Sequence, residues 1–373
     1  MKYYIIAGEA SGDLHGANLM KSIYKEDAQA EIRFWGGDLM EKAGGTLVKH
    51  YRELAFMGFA EVVMNLRTIL GNIKICKDDI AKFQPDVLIF IDYPGFNMRI
   101  AKWAKKIGIP THYYISPQIW AWKENRIAAI KRDVDQMYVI LPFEKDFYEK
   151  KHHFPVEFVG HPLIDAIHDR DHIDEKSFRA EFHLDEKPIV ALLPGSRKQE
   201  ISKMLTEMLA VVKDFPEYQF VIAGAPSQEY SFYEQFLNNE NVHFISNRTY
   251  DLLSVSTAAL VTSGTATLET ALFKVPEVVC YKGGWISYQI AKRIITLKYI
   301  SLVNLIMDRE VVTELIQGDC NPKKIKEELH KILMTSKREK VLEEYEILEK
   351  ALGGEGASAK TAKSIVDKLK NKR

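Results

Sequence analysis

Short apolar runs rich in β-branched and aromatic residues alternate with longer stretches of helical period, and this alternation occurs twice along the chain. The pattern predicts βα units, in which helices connect and cover the strands of a parallel sheet. The strands predicted in the first half are 3–7, 32–35, 87–91, 111–115, 136–140 and 156–159. Those predicted in the second half are 189–193, 219–223, 242–245, 259–262 and 277–281. We therefore expect two doubly wound α/β domains.

A polar stretch without period, around 168–176, separates the two sets of strands. The chain has 373 residues and so exceeds the size at which one core keeps growing. We predict a first Rossmann-like domain at 1–165, a second at 186–335, and C-terminal helices at 336–373 that pack back across a neighbouring domain. Two such domains are expected to face a shared cleft with the carboxyl ends of their strands.

The charges of the chain balance, since Lys plus Arg and Asp plus Glu each number 51. A protein without a net field is not drawn as a whole to a polyanion. We therefore predict no nucleic acid partner, and any charge selectivity must be local.

Cysteine spacing and the N-terminus give expectations about the compartment. Cys76, Cys280 and Cys320 are scattered and lack CxxC spacing, which argues against a disulfide framework or a structural zinc. The first apolar run is far too short for a signal peptide, and no window approaches the ~20 apolar residues that span a bilayer. We expect a protein of a reducing cytoplasm that is soluble or lies on a surface.

The first predicted strand runs into a glycine-rich turn, GEASGDLHG at 8–16. Its glycines are four apart, whereas a dinucleotide-binding turn needs them two and then three apart, and no P-loop lysine follows. Glu9 and Asp13 place negative charge where a phosphate would lie, so the loop suits hydroxyl-rich or cationic groups. The alternative is a capped helix in which Asp13 complements the helix dipole.

Asp92 is the first residue beyond the wholly apolar strand 87–91. A carboxylate at a strand end beside apolar walls has its charged form disfavoured, so its pKa can rise toward the range that a general base needs. The alternative is an Asx cap of the helix that begins near Phe96.

Two tryptophans, Trp120 and Trp122, follow the strand at 111–115 in a predicted loop near the cleft. Their faces could stack on sugar rings or acyl chains. Paired tryptophans are equally common as core anchors, which is the alternative.

In the second half, the strand 259–262 breaks at Ser263-Gly264-Thr265 into a helix-forming stretch. Free N–H groups and the positive end of the helix dipole would point at this turn, which suits a diphosphate. Ser263, Thr265 and Thr267 would add hydroxyl donors, and Glu269 could accept hydrogen bonds from a ribose. The alternative is an ordinary core helix with a solvated glutamate.

The stretch LPGSR at 193–197 repeats the order of strand, tight turn and donor. The planar guanidinium of Arg197 can bind two phosphate oxygens. Two donor-rich turns in one domain favour a nucleotide site there.

The segment 56–70 has apolar residues on more than one helical face. A core helix is one interpretation, and a surface that meets a membrane or lipid chains is the other, helped by Arg67, Lys74 and Lys77. The apolar stripe consists of Phe59, Val62, Val63, Leu66 and Ile69 or Leu70.

Histidines and acids cluster between 152 and 172, but without the spacing of a helix face. We therefore predict no metal site there.

The motifs taken together resemble bacterial lipid-A-disaccharide synthases, which are glycosyltransferases of the GT-B type. The resemblance covers nearly the whole chain. It departs from the family pattern at Val303, where a proline is usual, and at Thr313. The matching stretches are GEASGD at 8–13, LAFMG at 54–58, IDYPGFN at 91–97, YISPQIWAW at 114–122, LPFE at 141–144, GHP at 160–162, LPGSR at 193–197, SGTATLE at 263–269 and AKR at 291–293.

The resemblance implies transfer of 2,3-diacylglucosamine from its UDP derivative to 2,3-diacylglucosamine 1-phosphate, which gives a β-1,6 disaccharide and UDP. Inversion at the anomeric carbon needs a base on the acceptor hydroxyl and a stabilised leaving group. It implies Asp92 as the base, and no metal or other cofactor. The acceptor sugar would lie at Glu9 and Ser11, with Trp120 and Trp122 beside it. The donor would contact Arg197, Ser263, Gly264, Thr265, Ala266, Glu269 and Asn304.

The same resemblance implies a cytoplasmic enzyme associated peripherally with the inner membrane of a Gram-negative type of bacterium, because both substrates carry acyl chains. Two other functions stay open on the residues alone. One is a UDP-sugar epimerase on the same scaffold, and the other is a non-catalytic protein that binds nucleotide sugars or lipids. A dehydrogenase is disfavoured by the glycine spacing.

Overall fold

The computed structural model describes residues 1–54, 66–170, 172–237, 239–284 and 297–371. The chain divides into two compact units. Unit 1 comprises Met1–His168 and Leu352–Arg373, and unit 2 comprises Asp169–Ala351.

Unit 1 is built on a seven-stranded parallel sheet in the order β3-β2-β1-β4-β5-β6-β7. The strands are β1 Lys2–Ala7, β2 Glu31–Gly36, β3 Thr46–His50, β4 Val87–Ile91, β5 Thr111–Tyr114, β6 Gln136–Val139 and β7 Glu157–Phe158. The helices between and after them are α1 Ala10–Glu26, α2 Asp38–Ala43, α3 Leu66–Phe83, α4 Pro94–Lys106, α5 Ile119–Trp122, α6 Ile127–Asp133, α7 Pro142–Asp146 and α8 Pro162–His168.

Unit 2 is built on a six-stranded parallel sheet in the order β10-β9-β8-β11-β12-β13. The strands are β8 Ile189–Leu193, β9 Gln219–Gly224, β10 Val242–Ser246, β11 Ser256–Thr262, β12 Glu277–Tyr281 and β13 Thr313–Ile316. The helices are α9 Glu175–Glu181, α10 Lys198–Leu209, α11 Tyr230–Tyr233, α12 Thr249–Ser254, α13 Thr265–Leu272, α14 Leu302–Met307, α15 Pro322–Met334 and α16 Lys337–Ala351. This strand order is that of the Rossmann fold.

The predicted C-terminal helical stretch at 336–373 is divided between the two units. Helix α16 belongs to unit 2, whereas the last helix, α17 (Ala357–Lys370), belongs to unit 1, where it packs against α1. Gly353, Gly354 and Gly356 connect the two helices with left-handed φ angles. The buried face of α17, which includes Ile365 and Val366, explains why it joins a core rather than standing apart.

Strands β4 and β8, which lie at the centres of their sheets, have no polar side chain and are buried on both faces. All five residues of β4 and all five of β8 are buried, as expected for a parallel sheet covered by helices. Every predicted strand is present. The sequence missed β3 and β13, which lie at sheet edges, are only partly buried and carry charged residues.

Candidate active site

The centre of unit 1 is a switch point in the strand order. β1 and β4 lie side by side, with Ala7 paired with Ile91, and the strand order reverses between them. In open α/β sheets, ligands bind at the carboxyl ends of the strands at such a point. The loops that carry Glu9 and Asp92 leave the sheet here. A Cβ atom on Gly8 would lie 2.3 Å from the Tyr93 ring, so the two loops are in contact.

Asp92 lies in a strained turn. Asp92 and Tyr93 have φ angles of 44° and 48°, a left-handed conformation that residues with side chains rarely adopt. The Asp92 carbonyl oxygen accepts hydrogen bonds from the Asn97 amide at 2.8 Å and from the Tyr113 hydroxyl at 2.6 Å. Helix α4 has Tyr93 as its N-cap and no side-chain capping bond, so the Asx-cap alternative for Asp92 is wrong. Capping of α4 therefore does not explain why Asp92 and Tyr93 keep this strained conformation.

The Asp92 side chain is half-buried, and its pKa is raised to about 6. Burial is the main cause, followed by the negative charge of Glu9, and Glu144 adds a smaller effect in the same direction. The backbone N–H of Tyr93 opposes the shift. A carboxyl group with this pKa can accept a proton near neutral pH and is not locked in its ionised form.

The acidic residues of the first loop have different roles. Glu9 and Ser11 are exposed, and Glu9 makes no capping hydrogen bond at the start of α1. Asp13 is buried and accepts bonds from the backbone N–H groups of Gly37 at 2.7 Å and Met40 at 3.0 Å. Asp13 therefore anchors the beginning of α2, and only Glu9 presents its charge to the loop surface.

A buried carboxylate organises the tryptophan segment. Glu144 accepts hydrogen bonds from the Ser116 hydroxyl at 2.6 Å and the Trp120 indole N–H at 3.1 Å, and from the backbone N–H groups of Ile140 and Leu141. Burial raises its pKa, while these donors oppose the rise. Trp120 is half-buried and edge-on to Phe143.

Trp122 is a surface residue. Its side chain is 53% exposed, and the Lys123 ammonium lies 3.8 Å from its ring centroid. The core-anchor interpretation therefore fails for Trp122, and it applies in part to Trp120.

Unit 2 has its own switch point, between β8 and β11, where Leu193 pairs with Val261. The two donor-rich loops of the sequence leave the sheet at this point. Gly195 and Gly264 have φ angles of 99° and 151°, and a Cβ on Gly264 would meet no atom within 4 Å. The backbone at Gly264 is therefore open to the close approach of a ligand.

Arg197 is exposed and occupies the N-cap position of α10. It lines a cavity of about 320 Å³ together with Lys198, Lys203 and Lys282, and Glu200 is the acidic residue in its wall. Lys282 pairs with Glu207. The cavity thus presents excess positive charge next to the Gly195 turn, as an anionic ligand requires.

The hydroxyl groups near Gly264 are not equivalent. Thr265 is exposed at the first position of α13, where the N–H groups lack intrahelical partners. Ser263 donates to the carbonyl of Ile300 at 2.8 Å, and the buried Thr267 donates to the Gly264 carbonyl at 2.9 Å. Thr267 is thus not a ligand donor as predicted, because its hydroxyl completes the turn. Ala266 is half-buried in the same first turn.

Glu269 is half-buried one turn into α13 and accepts a hydrogen bond from the Tyr250 hydroxyl at 2.9 Å. Burial raises the pKa of this carboxyl, and the Tyr250 bond works in the opposite direction. It is therefore not the solvated glutamate of the alternative interpretation. Its second oxygen has no hydrogen bond to any residue that the structure describes.

Comparison with known proteins identifies the family. Residues 3–367 match the family described as lipid-A-disaccharide synthetase. The lipid-A-disaccharide synthase of Syntrophus aciditrophicus is 39% identical over 368 residues, which cover 96% of this chain and 95% of that protein. The chain belongs to the lipid-A-disaccharide synthase family.

Solved structures share the fold of this chain at low sequence identity. UDP-GlcNAc 2-epimerase from Neisseria meningitidis, bound to UDP-GlcNAc, aligns over 100% of both chains with a TM-score of 0.67 and 15% identity. The glycosyltransferase of kitacinnamycin covers 99% of this chain and 98% of its own, with a TM-score of 0.68 and 12% identity. These likenesses show the fold of two Rossmann-like domains.

Asn304, predicted to contact the donor, makes hydrogen bonds within unit 2. Its side chain is fully buried, and its amide donates to the Val312 carbonyl at 2.8 Å and to Glu314 at 2.9 Å. Its oxygen accepts from the N–H groups of Val311 and Val312. All the hydrogen-bonding capacity of the Asn304 side chain is thus used internally, and its contact with the donor stays a prediction.

Val303, where the family usually has a proline, lies in the first turn of α14. Ser301 caps α14, so Val303 is its second residue, where the N–H needs no intrahelical acceptor and a proline would also fit. Val303 is buried, so valine fills the same apolar position.

Part of the predicted apolar stripe lies outside the described residues, namely Phe59, Val62 and Val63, and of Leu66 only the backbone is described. Ile69 is half-buried and packs on the core of unit 1, whereas Leu70 is 56% exposed. The two adjacent residues thus serve different faces of α3. None of the described helices is long and apolar enough to cross a membrane.

Sequence reasoning missed several residues of these sites. Glu144 lies in the LPFE motif without a predicted role of its own, although a glutamate at the third position of a helix after an apolar strand is a capping signal. Lys203 lies on α10, six residues beyond Arg197, a spacing that does not make two residues neighbours on one helix face. Tyr250 and Glu314 gave no local signal, because their partners are far away in the sequence.

Proposed function

We propose that the chain is an inverting glycosyltransferase in which Asp92 deprotonates the acceptor hydroxyl while Arg197 and the Gly264 turn stabilise departing UDP. Membership of the lipid-A-disaccharide synthase family makes the chain a glycosyltransferase of lipid A biosynthesis. Its substrates are accordingly a UDP-sugar donor and a lipid acceptor. The observation that carries the proposed mechanism is the half-buried Asp92 carboxyl at the switch point of unit 1, where burial and the charge of Glu9 raise its pKa.

The reaction forms one bond and breaks one. The 6-hydroxyl oxygen of 2,3-diacylglucosamine 1-phosphate attacks the anomeric carbon of UDP-2,3-diacylglucosamine, and the bond from that carbon to the diphosphate oxygen breaks. The hydroxyl proton passes to Asp92, and the bonding electrons leave with UDP. General-base assistance of this kind contributes about a hundredfold to ten-thousandfold in rate.

The leaving group needs positive charge as its diphosphate oxygens gain negative charge. Arg197 can bind two of these oxygens through its planar guanidinium, and Lys198 and Lys203 line the same cavity. The N–H groups at the start of α13, at Thr265 and Ala266, together with Gly264 provide a second cradle. Ser263 shapes this turn, and the second oxygen of Glu269 would accept a ribose hydroxyl.

The acceptor sugar is proposed to lie at Glu9 and Ser11, both exposed next to Asp92 at the switch point. Trp120, oriented by Glu144, and the exposed Trp122 would contact the sugar or its acyl chains. Lys123 beside Trp122 adds a cation that suits a phosphorylated lipid.

We also propose that the enzyme works at the inner membrane surface as a peripheral protein. Exposed Leu70 and Ile75 on α3 support this, because apolar side chains on a helix can enter the lipid interface. The acyl chains of both substrates would otherwise have to leave the bilayer entirely.

The test is to incubate the chain with UDP-2,3-diacylglucosamine and to measure UDP release with and without the phosphorylated acceptor. Product masses are read in parallel. We expect UDP release to depend on the acceptor and a product with the mass of the disaccharide phosphate. Acceptor-independent conversion of the donor into an isomer of equal mass would contradict the proposal and indicate an epimerase.

A further inference from the structure

The side chain of Glu314, on the edge strand β13, is connected by hydrogen bonds to the turn at 263–265 of unit 2, the donor turn. Glu314 accepts hydrogen bonds from the backbone N–H of Ser301 at 2.9 Å, from the Ser301 hydroxyl at 2.8 Å and from the Asn304 amide at 2.9 Å. Its other oxygen accepts from the backbone N–H of Ile300 at 3.0 Å. One side chain thus fixes the segment 300–304 at several points.

That segment contacts the Gly264 turn from both sides. The Ser263 hydroxyl donates to the Ile300 carbonyl at 2.8 Å, ahead of the glycine. After it, the Leu302 N–H donates to the Thr267 hydroxyl oxygen at 3.3 Å, and this hydroxyl donates to the Gly264 carbonyl. A continuous set of hydrogen bonds therefore runs from Glu314 to the donor turn.

The turn has little packing of its own. Gly264 has open space where a side chain would be, and glycine has the largest conformational freedom of any residue. A ligand that binds a mobile turn must pay for ordering it, and this lowers its affinity. The hydrogen bonds from the segment 300–304 order the turn before the ligand binds, so the ligand does not have to order it.

Resting on the proposed function, we propose that Glu314 is a positioning residue that presets the Ser263–Thr265 turn for a nucleoside diphosphate. It touches no ligand and acts through Ile300, Ser301 and Leu302. Asn304 serves the same purpose, since its amide joins Glu314 to the residues before β13.

The experiment measures UDP binding by calorimetry and thermal unfolding for Glu314→Gln in the full chain. The amide retains one oxygen but turns an N–H₂ group toward backbone donors, so part of the support is lost while the side-chain size is kept. We expect UDP affinity to fall about tenfold, the loss typical of a hydrogen bond to a charged group.

Gln219→Met is the matched control. Gln219 is a fully buried polar residue of unit 2 whose amide donates to the carbonyls of Asp185 and Lys187, away from the donor turn. The control is expected to lower the unfolding temperature without changing UDP affinity. If Glu314→Gln also loses only thermal stability and binds UDP like the wild type, the positioning role is wrong.

A double-mutant cycle with Thr267→Val sharpens the test. This change removes the hydroxyl that joins the segment 300–304 to the turn. If Glu314 acts through that connection, the double variant should bind UDP almost as well as the single variant that has the lower UDP affinity. Losses that simply multiply would overturn the inference. Failure of the wild type itself to bind UDP would instead overturn the proposed function, so the two failures are distinguishable.

Discussion

The loops that follow the central strands carry opposite charge in the two units. In unit 1, the loops after β1 and β4 present Glu9 and Asp92, and Glu144 lies close enough to affect the Asp92 pKa. In unit 2, the loops after β8 and β11 present Arg197 and a glycine turn at a helix start. Both sheets have the same kind of switch point. The fold therefore sets where ligands bind, and the loop residues set which chemistry occurs there.

The backbones of these loops differ as much as their charges. In unit 1, Asp92 and Tyr93 after β4 and Ile115 after β5 have left-handed conformations, whereas the loops after β8 and β11 in unit 2 use Gly195 and Gly264 for positive φ angles. Strain in a β-branched residue such as Ile115 persists only where surrounding contacts impose it. A reacting carboxyl must be held in one orientation, while a phosphate site must expose its N–H groups.

The largest effect is expected from Asp92→Asn, which removes the carboxylate proposed as the base in unit 1. The amide keeps the shape but cannot accept the hydroxyl proton, so kcat should fall about a hundredfold to ten-thousandfold. Acceptor-dependent UDP release measures this, and UDP affinity should stay unchanged. Asp146→Asn, at an exposed position of unit 1, is the control and should retain full activity. Wild-type turnover in Asp92→Asn would contradict the assignment.

Arg197→Ala removes a positive charge from the donor site proposed in unit 2. Losing a hydrogen bond to a charged group costs about 1.5–3 kcal/mol, so UDP affinity should weaken roughly tenfold to a hundredfold. Arg197→Lys should fall between, because it keeps the charge but loses the planar fork. Calorimetry with UDP measures both, with the exposed Lys213→Ala as the control. Equal affinity in all four proteins would show that the diphosphate binds elsewhere.

Acid should destabilise unit 1 through two buried histidines. Burial lowers the pKa of His15 to about 4 and that of His161 to about 3, from an ordinary 6.5. The unfolded chain therefore binds more protons below pH 6.5, and each histidine costs up to about 1.4 kcal/mol of stability per pH unit as the pH falls toward its folded pKa.

Denaturant unfolding of His15→Leu at a series of pH values checks this prediction. Its stability should fall less steeply with acid than that of the wild type. His330→Leu, at an exposed position of unit 2, is the control and should follow the wild type. An unchanged acid dependence in His15→Leu would refute the role of the buried imidazole.

The smallest effect is expected from Glu144→Gln, which tests whether unit 1 depends on a second carboxylate. Trp120 and Ser116 would lose part of their acceptor, so KM for the acceptor should rise a few-fold while kcat changes little. Steady-state kinetics measures the split, and tryptophan fluorescence reports the indole environment. A fall in kcat at constant KM would assign Glu144 a different role.

The sequence predicted the central strands and the loops that carry chemistry because both follow local rules. An apolar run such as 87–91 followed by Asp92 indicates a buried strand and its end without knowledge of the rest of the chain. Edge strands such as β13 escaped, because their residues are only half-buried and their pairing partners lie far along the chain.

Site residues were predictable as types but not as contacts. Ser263, Thr267 and Asn304 are all polar residues near the turn, yet the structure uses the hydroxyl or amide of each internally. Glu314 and Glu144 organise these sites through bonds that include residues more than ten positions away, such as Ser301 for Glu314 and Trp120 for Glu144. Sequence alone cannot separate a polar side chain that meets a ligand from one that holds the loop.

The most direct test of the account is the pH dependence of kcat/KM in the wild type and in Glu9→Gln. If Asp92 is the base, activity should rise tenfold per pH unit up to a pKa of about 6 and then level off, since only the deprotonated carboxyl accepts a proton. Removing the Glu9 charge should shift this limb to lower pH. A wild-type profile without an acidic limb near pH 6, or one that Glu9→Gln leaves in place, would contradict the account.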